Sequence, residues 1–248
     1  MNHKPLTFDP VKAVNGLGRE PLVEMAAAGD VIGECYRLLG KTNANVVGQC
    51  LAHQGTFYEF DHYPGGDVYD HEFHTQYYYH AHRPEAGEHG HFHTFLRSAG
   101  MPGHVKPASC AGDAERPPGK DALTHFVAIS MDRPGRPIAL FTTNRWVTGE
   151  TFYHARDVIS MLDRFHVEHT YPCLAVNQWI TAMMRLFRPQ IEALIIARDR
   201  VIAERSRSHP GSDVYEDREL EVTSFLAINV DRQIAAVRDA LSGQRRIA

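Results

Sequence analysis

Apolar side chains at positions 22, 25, 26, 32, 35, 36 and 39 recur with a helical spacing, and Pro21 suits a first turn, so the pattern predicts a helix over 21–39. A shorter helix is expected at 43–52. The period then changes. GTFYEFDHY, from residue 55, is rich in aromatic residues and reads as a strand, and Tyr63-Pro64-Gly65-Gly66-Asp67 reads as a loop. TQYYYHAH (75–82) and HFHTFLR (91–97) read as two strands joined by RPEAGEHG, whose proline and two glycines supply the turn. Residues 99–121 hold four prolines and four glycines, the composition of a long surface loop or lid. LTHFVAISM and PIALFTTNRWV form a second hairpin around DRPGR.

Beyond it the helical period returns, at 152, 155, 158, 159, 162 and 165 and again at 176, 179, 180, 183, 184 and 187. Pro189 is expected to end or kink that helix before QIEALIIARDRVIAE resumes. SRSHPGSD reads as a loop, and a last helix is expected from about 214 to 241. The order predicts one α+β domain over 1–248, with a helical part at 21–55, a histidine-rich, mainly antiparallel sheet at 56–148 and helices at 150–242 covering the sheet.

Composition narrows the partners. With 248 residues, 43% of them hydrophobic, the chain can bury a substantial core. A net charge of -4 and no basic run longer than Arg245-Arg246 argue against nucleic acid as a partner. MNHKPLTFDP does not have the basic-then-apolar form of a signal peptide, and no apolar run approaches a membrane span of roughly 18 residues, so a cytoplasmic location is expected. Cys35, Cys50, Cys110 and Cys173 form no CxxC pair and are expected to be buried reduced thiols.

Candidate chemistry concentrates in the middle of the chain, where eight of the sixteen histidines fall within residues 62–93. Side chains alternate along a strand, so His80 and His82 share a face, as do His91 and His93. If residue 82 faces 91 and 80 faces 93, all four imidazoles converge, while Tyr77, Tyr79, Ala81, Phe92, Thr94 and Leu96 form an opposite face for packing under helices. Without a metal such a group becomes mutually repelling on mild acidification, which favours a metal site over a structural cluster.

His125, opening the next strand, is a possible further ligand. Glu59 is the preferred carboxylate, followed by Glu88, because two or three histidines with one carboxylate is a common way to hold a catalytic metal. Tyr78 lies on the histidine face. Arg145, at the end of the fourth strand, is a candidate clamp for a substrate carboxylate or phosphate, and Arg83 and Arg97 share that possibility.

The stretches DHYPGGDVYD with EFHTQYYYHAH, then GEHGHFHTF, then RPIALFTTNRWVTGET together resemble an uncharacterised bacterial family, which implies a shared fold and a shared histidine site but no reaction. His89-Gly90-His91-Phe92-His93 is also similar to the motif of histidine triad nucleotide hydrolases and transferases, in which His91 is the implied nucleophile, although Leu96-Arg97-Ser98 stands where that family has glycines. His80-Ala81-His82 is similar to the first metal motif of cupins, but the glutamate spacing and the helical C-terminal half depart from that pattern.

The resulting expectation is a first-row transition metal bound through His80, His82, His91, His93 and His125, acting on a small-molecule substrate. A non-haem iron or copper oxidoreductase is favoured over a zinc hydrolase. A metal-free histidine triad enzyme and a non-catalytic metal carrier or sensor are the alternatives.

Overall fold

The computed structural model describes residues 5–83, 87–109, 112 and 114–245. The chain is α+β, with a six-stranded antiparallel sheet in the order β1-β2-β3-β4-β5-β6. The strands are β1 (Tyr63–Tyr69), β2 (Thr75–His80), β3 (Gly90–Arg97), β4 (Leu123–Met131), β5 (Pro137–Thr143) and β6 (Val222–Ala227). Before the sheet run α1 (Pro10–Asn15), α2 (Arg19–Gly40) and α3 (Val46–Leu51). Between β5 and β6 come α4 (Arg145–Thr148), α5 (Ala155–Ser160), α6 (Leu174–Leu186) and α7 (Arg188–Ser208), and α8 (Val230–Arg245) follows β6.

The apolar stripe of α2 buries Leu22, Met25, Ile32, Cys35 and Leu39, matching the helical spacing. Gly29 lets α8 approach closely, because a Cβ there would stand 2.9 Å from Ile234. Pro189 does divide two helices: α6 stops at Leu186, and Pro189 sits in the first turn of α7, where its missing N–H costs little. The expected packing face of the hairpin meets α6, with Tyr77 Oη donating to Asn177 Oδ1 at 2.5 Å and the Phe92 ring 5.5 Å from Trp179.

Three stretches differ from the pattern-based reading. GTFYEFDHY is not a strand up to residue 62, whereas the YPGGD segment expected to be a loop opens β1. As an edge strand β1 has only one partner and tolerates Pro64 and the glycines, and a bulge between Tyr63 and Val68 absorbs Gly66 and Asp67, both at positive φ.

The region 214–241 is not one helix. Val222–Ala227 pairs with β5, from Ala139↔Ala227 to Thr143↔Val222, because its β-branched and aromatic residues satisfy an otherwise open sheet edge. Residues 151–166 give only α5 and a single turn at Leu162–Arg164, since Thr151–His154 is extended, with Phe152 at φ 67°.

The described residues of the 99–121 segment make no hydrogen bond to the histidines of β2 and β3. Ala108 N–H donates to Phe152 O, while Pro117 O and Glu115 O accept from Thr151 and Arg145. Cys35 and Cys50 are buried free thiols and Cys173 is half-buried; Cys110 lies outside the described residues.

Gly90 fixes how β2 meets β3. A Cβ there would lie 2.5 Å from both His80 O and the Tyr79 hydroxyl, so only glycine lets the strands close at this point. Gly33, exposed on α2, has nothing within 4 Å of an added Cβ. Gly90→Ala is therefore expected to destabilise the protein by about 1–3 kcal/mol through overpacking, and Gly33→Ala to stabilise it by up to about 1 kcal/mol through helix propensity. Urea unfolding midpoints check both, and Gly90→Ala proving as stable as Gly33→Ala would contradict the close-approach argument.

Candidate metal centre

Antiparallel pairing places His80 opposite His91 and Tyr78 opposite His93. The register is displaced by two residues from the expected one. An even displacement keeps every side chain on its expected face, so the histidine face survives while Tyr78 replaces His80 as the partner of His93. His82 then falls beyond the end of β2.

His80, His91 and His93 are all buried, and one ring nitrogen from each lies within 4.8 Å of the other two. His80 Nε2 and His91 Nε2 are 2.8 Å apart. Two nitrogens bound at about 2.0–2.1 Å to one ion are separated by roughly 2.9–3.4 Å for bond angles between 90° and tetrahedral. The His80–His91 pair is thus already close to a ligand spacing.

The second ring nitrogens of His91 and His93 are held from behind. His91 Nδ1 lies 2.8 Å from Glu88 Oε1, and Glu88 Oε2 accepts from Ser130 Oγ at 2.5 Å. Burial alone would raise the Glu88 carboxyl, but the hydrogen bond and charge of His91, with Ser130 and Arg83, hold it below its ordinary value. An ionised carboxylate only accepts, so His91 carries its proton on Nδ1 and its Nε2 is a lone pair.

His93 Nδ1 lies 3.0 Å from His125 Nε2. One proton is shared in this contact, so the two rings fix each other's orientation. His93 Nε2 is buried, with no hydrogen-bond partner among the described residues. The arrangement matches the usual support of a metal-binding imidazole, in which the second ring nitrogen is hydrogen-bonded to a protein group that fixes the tautomer.

The other expected site residues are distributed around this group. His82 is half-buried at the rim, 4.9 Å ring to ring from His80 and 5.1 Å from His91. His125 stands behind His93. Tyr78 is buried against the triad, 5.2 Å from His93 and 5.3 Å from His80, and stacks on His62 at 3.6 Å.

Glu59 does not join the group: it is exposed on a turn before β1, because the strand expected to carry it does not form. Arg145 does not join it either. It begins α4, and its guanidinium is taken up by Glu216, by Glu150 O at 3.3 Å and by Glu115 O at 3.4 Å. His89 turns back to Tyr79, its Nδ1 2.6 Å from the hydroxyl, so the His89-His91-His93 alternation does not line one site.

The family match spans residues 26–228 and so takes in the whole histidine group. The chain belongs to the DUF6969 family. That family is described as a domain of unknown function. No curated protein and no solved structure matches the chain. What the DUF6969 domain does at this site must therefore be argued from its chemistry.

Sequence reasoning missed Glu150, which follows α4 with its side chain fully buried. Its Oε2 accepts from the His125 backbone N–H at 2.7 Å, and its Oε1 has no hydrogen-bond partner among the described residues. Burial raises its carboxyl to about 7 against the pull of Arg198. Nothing in TTNRWVTGET distinguishes this glutamate from a surface one. Among the described residues no helix is long and apolar enough to cross a membrane.

Burial and the neighbouring His91 push His80 down to about 2, and burial and Arg198 push His125 down to about 3, from an ordinary 6.5. His91 and His93 are also lowered, mainly by burial. The stability these neutral rings allow is complete above 6.5 and is lost as pH falls below it, because the unfolded chain takes up protons that the folded chain refuses. Chelator-treated protein is therefore expected to have a lower urea midpoint at pH 5.5 than at pH 7; an equal or higher midpoint at pH 5.5 would contradict it. Glu150 acts with the opposite sign: its contribution is lost as pH rises through about 7, so the gain in midpoint from Glu150→Gln should grow between pH 5.5 and 8.

Proposed function

We propose that the chain is a metal-dependent enzyme in which His80, His91 and His93 bind one first-row transition metal through Nε2, with Glu88 and His125 orienting the ligands. The observation that carries the reading is His93 Nε2, a buried ring nitrogen with no hydrogen-bond partner among the described residues, beside two other imidazole nitrogens already 2.8 Å apart. An orphaned polar atom in a dry interior costs about 1–3 kcal/mol. The cost disappears when a cation takes up the nitrogen.

Three neutral imidazoles leave a metal with its full positive charge and with open positions, the ligand arrangement used to activate water or polarise a small substrate. The absence of Glu59 from the group removes the carboxylate on which a two-histidine, one-carboxylate iron site depended. The donor set therefore favours zinc or copper over iron. Copper oxidoreductase chemistry is the second reading, supported by the buried Tyr78 phenol beside two of the three ligands.

His62 stacks on Tyr78 and lies 5.7 Å ring to ring from His80. Its Nδ1 is 2.9 Å from Asp67 Oδ1, while Asp67 Oδ2 accepts from Gln76 Nε2 at 2.5 Å. An oriented histidine of this kind can move a proton to or from a metal-bound molecule.

Elemental analysis of untagged protein purified without added metal tests the reading. The expected result is about one transition-metal ion per chain, lost in His91→Ala and in His93→Ala and retained in His166→Ala. Glu88→Gln is expected to weaken binding about 10–100-fold. Metal-free wild-type protein that takes up none on reconstitution, or equal content in all four variants, would overturn the assignment.

A further inference from the structure

Among the described residues, Arg83 has no close ionic partner. Its side chain is only 12% exposed. The guanidinium lies over the Phe141 ring, 4.6 Å from the centroid, and Phe141 in turn packs edge-on against His91 at 5.1 Å and His93 at 6.2 Å. Arg83 is thus one phenyl ring away from two of the three proposed ligands, and its charge bears on both His91 and Glu88.

Among the described residues its ion pair is with Glu221, 4.0 Å from Nε, the outer limit of an ion pair. Nη1 is buried and has no hydrogen-bond partner among the described residues. The contrast with Arg145, whose fork is filled by Glu216 and two carbonyls, is direct.

The side chains that flank Phe141 thus include the proposed ligand His93 and an arginine with a buried donor that lacks a partner among the described residues. The surroundings are apolar, with Ala128, Phe141, Val222 and Phe225 clustered together. We propose that Arg83 is the anion clamp of the metal centre and that the substrate is a small carboxylic acid with an apolar body, its carboxylate held by the Arg83 guanidinium.

The planar guanidinium matches a carboxylate bidentately, and a guanidinium stacked on an aromatic face keeps its in-plane donors directed away from the ring. An apolar lining suits a singly charged carboxylate better than a doubly charged phosphate, whose desolvation costs more. The inference rests on the metal reading above and names the substrate class for that same site.

Cobalt(II)-loaded protein provides the test, with benzoate and inorganic phosphate as probes and visible absorption of the bound cobalt as the readout. Benzoate is expected to perturb the cobalt bands saturably in wild type. In Arg83→Gln, cobalt stoichiometry is expected to be unchanged and the benzoate Kd at least ten-fold weaker, with Arg83→Lys in between. Phosphate is expected to bind more weakly than benzoate.

If cobalt binds and benzoate gives no response, if Arg83→Gln binds benzoate as wild type does, or if phosphate is preferred, the clamp is overturned while the metal centre stands. If Arg83→Gln merely lowers Tm with benzoate affinity unchanged, Arg83 is a structural partner of Glu221 and the clamp is likewise overturned. Failure of wild-type protein to bind cobalt overturns the metal reading itself, and the clamp with it.

Discussion

Neutral imidazoles packed against one another in a dry interior are costly unless their lone pairs are used, and the sheet depends on how that cost is met. His80, His91 and His93 are buried where water cannot satisfy them, and burial suppresses the protonation that would otherwise supply extra donors. Each ring's surroundings reduce its freedom. Glu88 holds the proton on one side of His91, His125 faces one side of His93, and His80 approaches His91 at 2.8 Å. What remains is a set of converging ring nitrogens, which a cation can take up once the proton between His80 and His91 is released.

The fold produces this geometry with short-range means. Antiparallel pairing puts directly opposed side chains on one face, and Gly90 lets β2 and β3 come close enough for the rings to meet. Ser130, opposite His91 across β3 and β4, secures Glu88 from the neighbouring strand. The other face of the same strands packs on α6 through Tyr77 and Phe92. Hydrophobic burial on one face thus fixes backbone positions that the polar face then exploits.

The sequence pattern makes some of this visible. Helical periodicity identifies α2 and the α6–α7 division, and residue alternation assigns the histidine face correctly even with the register displaced by two, because faces repeat every second residue. Turn composition misleads at Tyr63–Tyr69, where an edge strand accommodates proline and glycine that an inner strand would reject. The strand Val222–Ala227 is hidden within a helical reading because its partner, β5, is 80 residues away in the chain. Glu88, the second choice of carboxylate, meets His91 three residues along the chain, whereas Glu150 and the ion pair of Arg145 depend on contacts between distant segments, of which local sequence carries no sign. Glu59 illustrates the converse: a carboxylate near histidines in sequence ends up on an exposed turn.

The account turns on whether the three Nε2 atoms share one ion. Diffraction data collected on either side of the absorption edge of the copurified metal, from crystals of untagged protein, address this directly. The predicted result is a single anomalous peak about 2.0–2.3 Å from Nε2 of His80, His91 and His93. A map with no peak there, in which the three rings bond only to one another or to water, would contradict it.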